Sequence, residues 1–134
     1  AALLGETFDF HTLRRLSEDS SASPASTLAA LDGAERVGLI RSDDTSGLRY
    51  TFGHALVQRA LYDSMSTPAR IGRHRRAADA IHDSKGGVTA DNSAEMLRHL
   101  QRAGVLAEPH EIIETAAIAA DAAAAKLALN EAIR

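Results

Sequence analysis

The chain has 134 residues, 45% of them hydrophobic but only 4% aromatic, and a net charge of −3. That length holds one domain, or a small one with part of a second, and much of the apolar count is alanine, which suits close helix–helix contact. The absence of cysteine excludes disulfides and thiol chemistry and points to a reducing compartment; no run approaches the roughly 18 apolar residues of a membrane span, and nothing reads as a signal peptide, so a cytoplasmic location is expected.

The elements follow in chain order. Residues 1–5 look like the tail of a helix, and the other end stops at Asn130–Arg134 without a turn signal. Both ends therefore read as cuts through helices, as expected of an interior segment of a larger regulatory protein. Asp9 is placed to cap a short helix over 10–17 that buries Phe10, Leu13 and Leu16. Three prolines then mark helix starts, because the first turn tolerates a missing N–H. Ser23-Pro24, Thr67-Pro68 and Glu108-Pro109 predict helices over 24–37, 68–83 and 109–128, with Ser23 and Thr67 as caps. Periodicity adds a helix over 54–65, with Leu56, Val57, Ala60 and Leu61 on one face, and another from Ser93 to Ala103, stopped by Gly104.

Between these helices lies an extended segment. Leu39-Ile40-Arg41 precedes a turn-rich stretch over 42–47, and Leu48-Arg49-Tyr50-Thr51-Phe52 then alternates apolar with polar. That pattern predicts a β-hairpin whose buried face carries Leu48, Tyr50 and Phe52. Three helices followed by a hairpin is the order of a winged helix. The fold expected is therefore mainly α: a winged-helix domain over 1–83, a linker over 84–92 at Ser84-Lys85-Gly86-Gly87, and from 93 to 134 an antiparallel helical hairpin that starts a TPR-like repeat array. The alanines of 116–125 allow the close backbone approach that such arrays use.

Catalytic motifs are absent. There is no Gly-x-x-x-x-Gly-Lys-Ser/Thr phosphate loop and no Gly-x-Ser-x-Gly elbow, so no enzymatic activity is expected of this segment. His110-Glu111-Ile112-Ile113-Glu114 falls one residue short of a zinc signature; the plainer reading is an acidic first turn that complements the helix dipole, and no metal is expected. His74 and His82, two turns apart, read as partly exposed packing residues. The basic cluster Arg70, Arg73, His74, Arg75 and Arg76 reads as a solvated face that pairs with acidic residues elsewhere in the parent protein, the alternative being phosphate contacts.

A winged helix raises the alternative of a DNA-binding domain. Its recognition helix would be 24–36, which offers one arginine, two acids and several alanines; the wing adds Arg41 and Arg49 but also Asp43 and Asp44. With a negative net charge, the sequence argues against DNA recognition through this surface.

The stretch from Tyr50 to Tyr62, with Phe52, His54, Leu56, Val57, Ala60 and Tyr62, resembles the phrase F-x-H-x-L-V-R-x-A-x-Y of the signal-transduction ATPases with numerous domains. The large ATP-binding transcriptional regulators of the LuxR type and related actinobacterial regulators are the nearest group. Ala2 to Phe8 resembles their A-x-x-G-x-x-F opening, Leu28 to Ile40 their L-x-x-L-x-x-x-G-L-I, and Arg70 to Ala80 their R-x-x-x-H-R-x-x-A-x-A. The resemblance implies a winged helix with a nucleotide-binding ATPase core and a helical-repeat sensor of the same parent as its partners, packing on the ATPase core, helping to hold the ADP-bound resting state and seldom reading DNA. ATP or ADP would belong to the parent protein, with no cofactor in this segment. In relatives with a Met-His-Asp motif the histidine after the wing approaches the β-phosphate, and His54 stands at the matching place. Gly53 and Ala55 replace the Met and Asp, and Gln58 a frequent Arg, with Arg59 following. His54 is thus the nucleotide-sensing candidate, with Arg59, Arg70 and Arg73 as candidate phosphate or interdomain contacts. From the residues alone, an imidazole at a helix N-terminus can donate to a phosphate oxygen beside the helix's own N–H groups, or simply cap the helix or pack on the wing.

Overall fold

The computed structural model describes residues 1–17, 22–43 and 48–133. The tip of the expected hairpin, residues 44–47, lies outside them, as does Arg134. The protein is mainly helical, with a small three-stranded antiparallel sheet. Among the described residues no helix is long and apolar enough to cross a membrane. The chain divides into two compact units, Ala1–Arg70 and Ile71–Arg134.

The first unit begins with a turn, in which the Leu4 N–H donates to the Ala1 carbonyl, rather than with the expected helix tail. Next comes β1 (Thr7–Asp9), a strand that sequence periodicity did not reveal, then α1 (Phe10–Ser17) and α2 (Pro24–Arg36). Asp9 caps α1 as anticipated: its carboxylate accepts from the Thr12 N–H at 2.8 Å and the Thr12 hydroxyl at 2.7 Å. Phe10 and Thr12 are buried, whereas Leu13 and Leu16 are only half-buried. Ser23 caps α2 by accepting from the Ser26 N–H, and Pro24 occupies the first turn. Glu35, near the end of α2, accepts from both the N–H and hydroxyl of Ser42, and these bonds hold its carboxyl below the ordinary range.

The hairpin strands are β2 (Ile40–Ser42) and β3 (Arg49–Phe52), paired Ile40 with Phe52 and Ser42 with Tyr50. β1 pairs with the other edge of β3, Phe8 opposite Tyr50, so the strand order is β1-β3-β2. Phe8 stacks on Tyr50 with ring centroids 5.8 Å apart and lies 5.5 Å from Phe52. These rings, with Leu3, Leu4, Leu31 and Ile40, make the buried apolar centre of the unit. Leu48 does not join it: it lies just outside β3, 41% exposed, and its carbonyl accepts from the Phe10 N–H. After Gly53 come α3 (Ala55–Asp63) and the start of α4 (Thr67–Lys85). Thr67 is already helical, and the Ser66 side chain, one residue before the expected cap, accepts from the Ala69 N–H at 3.4 Å.

The second unit holds the remainder of α4, then α5 (Ser93–Ala103), one 3-10 turn and α6 (Pro109–Ala132). Ala78 and Ile81 from α4 pack with Met96 and Leu100 from α5, supported by Val88, Ala107 and Ile112. Small side chains at 77, 78, 80 and 103 allow this close packing. The connection from α4 to α5 is organised by buried Asn92, which accepts from the Thr89 N–H and donates to the Gly87 carbonyl. Gly104 ends α5 at φ +53°, a conformation that favours glycine. At the start of α6 the Glu111 side chain accepts from the Glu108 N–H.

Candidate functional site

His54 owes its position to the junction of sheet and helix. The Gly53 N–H donates to the Leu39 carbonyl at 2.8 Å, which pulls the end of β3 against the residues entering β2. A Cβ at Gly53 would stand 2.5 Å from the Gly38 carbonyl oxygen, so this position has room for no side chain. That is a physical reason for glycine where the resembled motif has methionine. His54 follows in extended geometry, φ −150° and ψ 128°, and its carbonyl accepts from the Val57 and Gln58 N–H groups to start α3. Its side chain is exposed and makes no capping hydrogen bond. Capping therefore does not account for the imidazole.

The neighbouring positions are occupied differently. Gln58 donates from Nε2 to the Ala2 carbonyl at 2.7 Å, tying α3 to the N-terminal turn. Arg59 pairs with Asp63 one turn on, at 3.5 Å, with both side chains largely exposed. Arg70 lies over the Tyr62 ring, 5.4 Å from its centroid, with Nη2 3.4 Å from the Thr67 hydroxyl and Nε buried without a hydrogen-bond partner. Arg73 is exposed on α4 within the second unit. Within the first unit, then, α3 carries His54, Arg59 and the tyrosine that holds Arg70.

The apolar face expected of α3 is largely exposed among the described residues. Leu56 is 69% exposed and Leu61 47%, Ala60 is also exposed, and Val57 is half-buried. Of the surfaces weighed for DNA reading, the one arginine of α2, Arg36, pairs with Asp32.

Two polar clusters in the second unit escaped the sequence reading. His74, expected to be partly exposed, is 1% exposed and faces His99, 0% exposed, with their Nδ1 atoms 2.9 Å apart. Both histidines sit at helical spacing from apolar residues, His74 four before Ala78 and His99 three after Met96, and that spacing is the signal that marks them as interior. His82, two turns on, is exposed and 3.5 Å from Asp83. The second cluster is centred on Arg75, which binds Asp79 and Glu111 together and reaches the Leu106 carbonyl. These partners raise the Arg75 pKa and hold Glu111 down to about 2, chiefly through the Arg75–Glu111 hydrogen bonds. The carboxylate of the near-zinc motif is thus engaged by a guanidinium. Among the described residues no group of three or more His, Cys, Asp or Glu converges as a metal site.

No family model, curated protein or solved structure matches the chain.

Proposed function

We propose that this chain is a non-catalytic coupling segment of a larger cytoplasmic, ATP-dependent transcriptional regulator, a winged helix followed by the start of a TPR-like array. The carrying observation is the sheet order. β1 precedes two helices and then pairs with β3, the second strand of the hairpin, giving β1-β3-β2. That arrangement supports the winged-helix reading, because a strand ahead of the helices closes the sheet on the far edge of the hairpin. The packing of α5 with α6 as a helical pair supports the repeat reading.

In this reading ATP or ADP binds in the parent's ATPase core, and His54, exposed at the start of α3, donates to a phosphate oxygen of the resting nucleotide. Nucleotide exchange then alters the packing of core, winged helix and repeat region. The uncovered Leu56 and Leu61 of α3 suit contact with that core. Arg59, Arg70 and Arg73 are the further candidate contacts.

The test is ADP affinity of the parent protein with His54→Ala, which leaves no side-chain donor at this position. Loss of a hydrogen bond to a charged group, about 1.5–3 kcal/mol, lowers affinity by roughly tenfold or more. Unchanged affinity removes His54 from the mechanism. Tight ADP binding by the 134-residue chain alone would place the pocket here and overturn the reading. Salt-dependent binding of the chain to duplex DNA would replace it with the DNA-binding alternative.

A further inference from the structure

We infer that the His74–His99 pair is a buried proton sensor, which joins α4 to α5 while both rings are neutral and loosens the second unit in acid. The two rings face each other with centroids 5.1 Å apart and Nδ1 atoms 2.9 Å apart, and His99 Nε2 is buried without a hydrogen-bond partner. Nitrogens at that separation share one proton, one ring donating and the other accepting. A neutral pair has a second proton to place, on one of the two Nε2 atoms. A sealed N–H without an acceptor costs more than a bare lone pair, so that proton belongs on His74 Nε2. His99 is then the Nδ1–H tautomer and donates to His74.

A third proton has no comparable place. With one proton between the Nδ1 atoms, the others must occupy both Nε2 atoms, and His99 Nε2 has nothing to donate to. Otherwise two N–H groups meet head-on and the bond between the helices is lost. Either way, protonation puts a charge and an unsatisfied donor into the interior where α4 meets α5.

The surrounding charges reinforce this. Burial first, then His74, Arg98 and Arg102, hold the His99 pKa down to about 3. On α5, Glu95 lies 4.0 Å from Arg98. On α4, Arg73, Arg75 and Arg76 surround His74 in sequence, with Asp79 bound to Arg75. On α6, Glu111 is also bound to Arg75, and His110 is exposed at the helix start.

The sign follows from linkage. A histidine in the unfolded chain titrates near 6.5, and His99 in the folded chain titrates lower, so between these values the unfolded state binds more protons. Stability is full above about pH 6.5 and falls as the pH drops, the folding constant decreasing up to tenfold per pH unit. The Glu111 contribution declines only below its ordinary 4.5, so the interval from 6.5 to 4.5 isolates the histidines.

The test is two-bond hydrogen–nitrogen NMR of the histidine rings in the 134-residue chain from pH 7.5 to 4.5, with amide exchange of α5 followed in parallel. Expected are a neutral His99 carrying its proton on Nδ1 throughout the folded signal, and α5 exchange that gains up to about a hundredfold over its intrinsic rate between pH 6.5 and 4.5. Titration of the folded His99 ring near 6.5, or α5 protection independent of pH, overturns the inference. In the double variant His74→Leu/His99→Leu the acid dependence over that interval disappears; if it persists, another group is the sensor. Should the variant fail to fold, the ring titration of the unmodified chain decides.

Discussion

Arg75 on α4 grips Glu111 on α6 through two parallel hydrogen bonds, Nη1–Oε2 at 2.5 Å and Nη2–Oε1 at 2.9 Å, while the same guanidinium holds Asp79 on its own helix. Each side chain of the pair is 25% exposed, so solvent weakens the attraction without removing it. A forked arginine–carboxylate contact is stronger than a single ion pair because geometry and charge act together. Glu111→Gln preserves the shape and the bond to the Glu108 N–H but removes the charge. It should lower the stability of the second unit by about 1–2 kcal/mol in urea denaturation, and a cycle with Arg75→Met should show that most of this loss is shared between the two residues.

The same contact has its own pH signature. The Arg75 bonds depress Glu111 from 4.5 to about 2, so the folded state keeps this carboxylate charged where the unfolded state protonates it. Its stabilisation is complete above about pH 4.5 and is lost as the pH falls toward 2. Denaturation curves at pH 4.5 and pH 2.5 should therefore show a drop of about 1–2 kcal/mol that Glu111→Gln lacks. The His99 contribution goes on declining down to about pH 3, so below pH 4.5 the two effects overlap, and the difference between the parent chain and Glu111→Gln isolates the carboxylate.

Gly53 and Gly33 should respond in opposite directions to alanine. At Gly53 the new Cβ meets the Gly38 carbonyl at 2.5 Å, and backbone on both sides must move. Gly53→Ala should destabilise the first unit by about 1–3 kcal/mol. Gly33 lies in the last turn of α2, exposed, with nothing within 4 Å of its added Cβ. Gly33→Ala should raise stability by about 0.5–1 kcal/mol through the lower backbone entropy of the unfolded chain. Thermal melts of the two variants against the parent chain decide both.

What the sequence revealed and concealed follows from the reach of each signal. Proline and capping chemistry act within four residues, so the starts of α2 and α6 were legible to the residue, and that of α4 to within one. β1 was not legible because three residues are too few to show alternation, and its partner Tyr50 lies 42 positions from Phe8. Leu48 was misplaced for the converse reason: alternation extended one residue past the end of the strand. The histidine pair was hidden because each ring taken alone is an ordinary polar residue. Only the packing of α4 on α5 makes them partners. His54 could be located from sequence, but its exposure, and the absence of a capping role, required the fold.

The value of His54 as a functional probe depends on its having no structural duty, and its neighbour Gln58 supplies the contrast. The His54 side chain is exposed and makes no capping bond, so His54→Ala should change the stability of the chain by no more than about 0.5 kcal/mol. Gln58 donates to the Ala2 carbonyl and anchors α3 to the N-terminal turn, so Gln58→Ala should cost about 1 kcal/mol. Circular-dichroism melts of the two variants measure both values. A large loss on His54→Ala would show that the imidazole supports the fold, and a drop in nucleotide affinity in the same variant would then report damage to α3 rather than a lost phosphate contact. Near-neutral stability would leave the phosphate contact as the source of that drop.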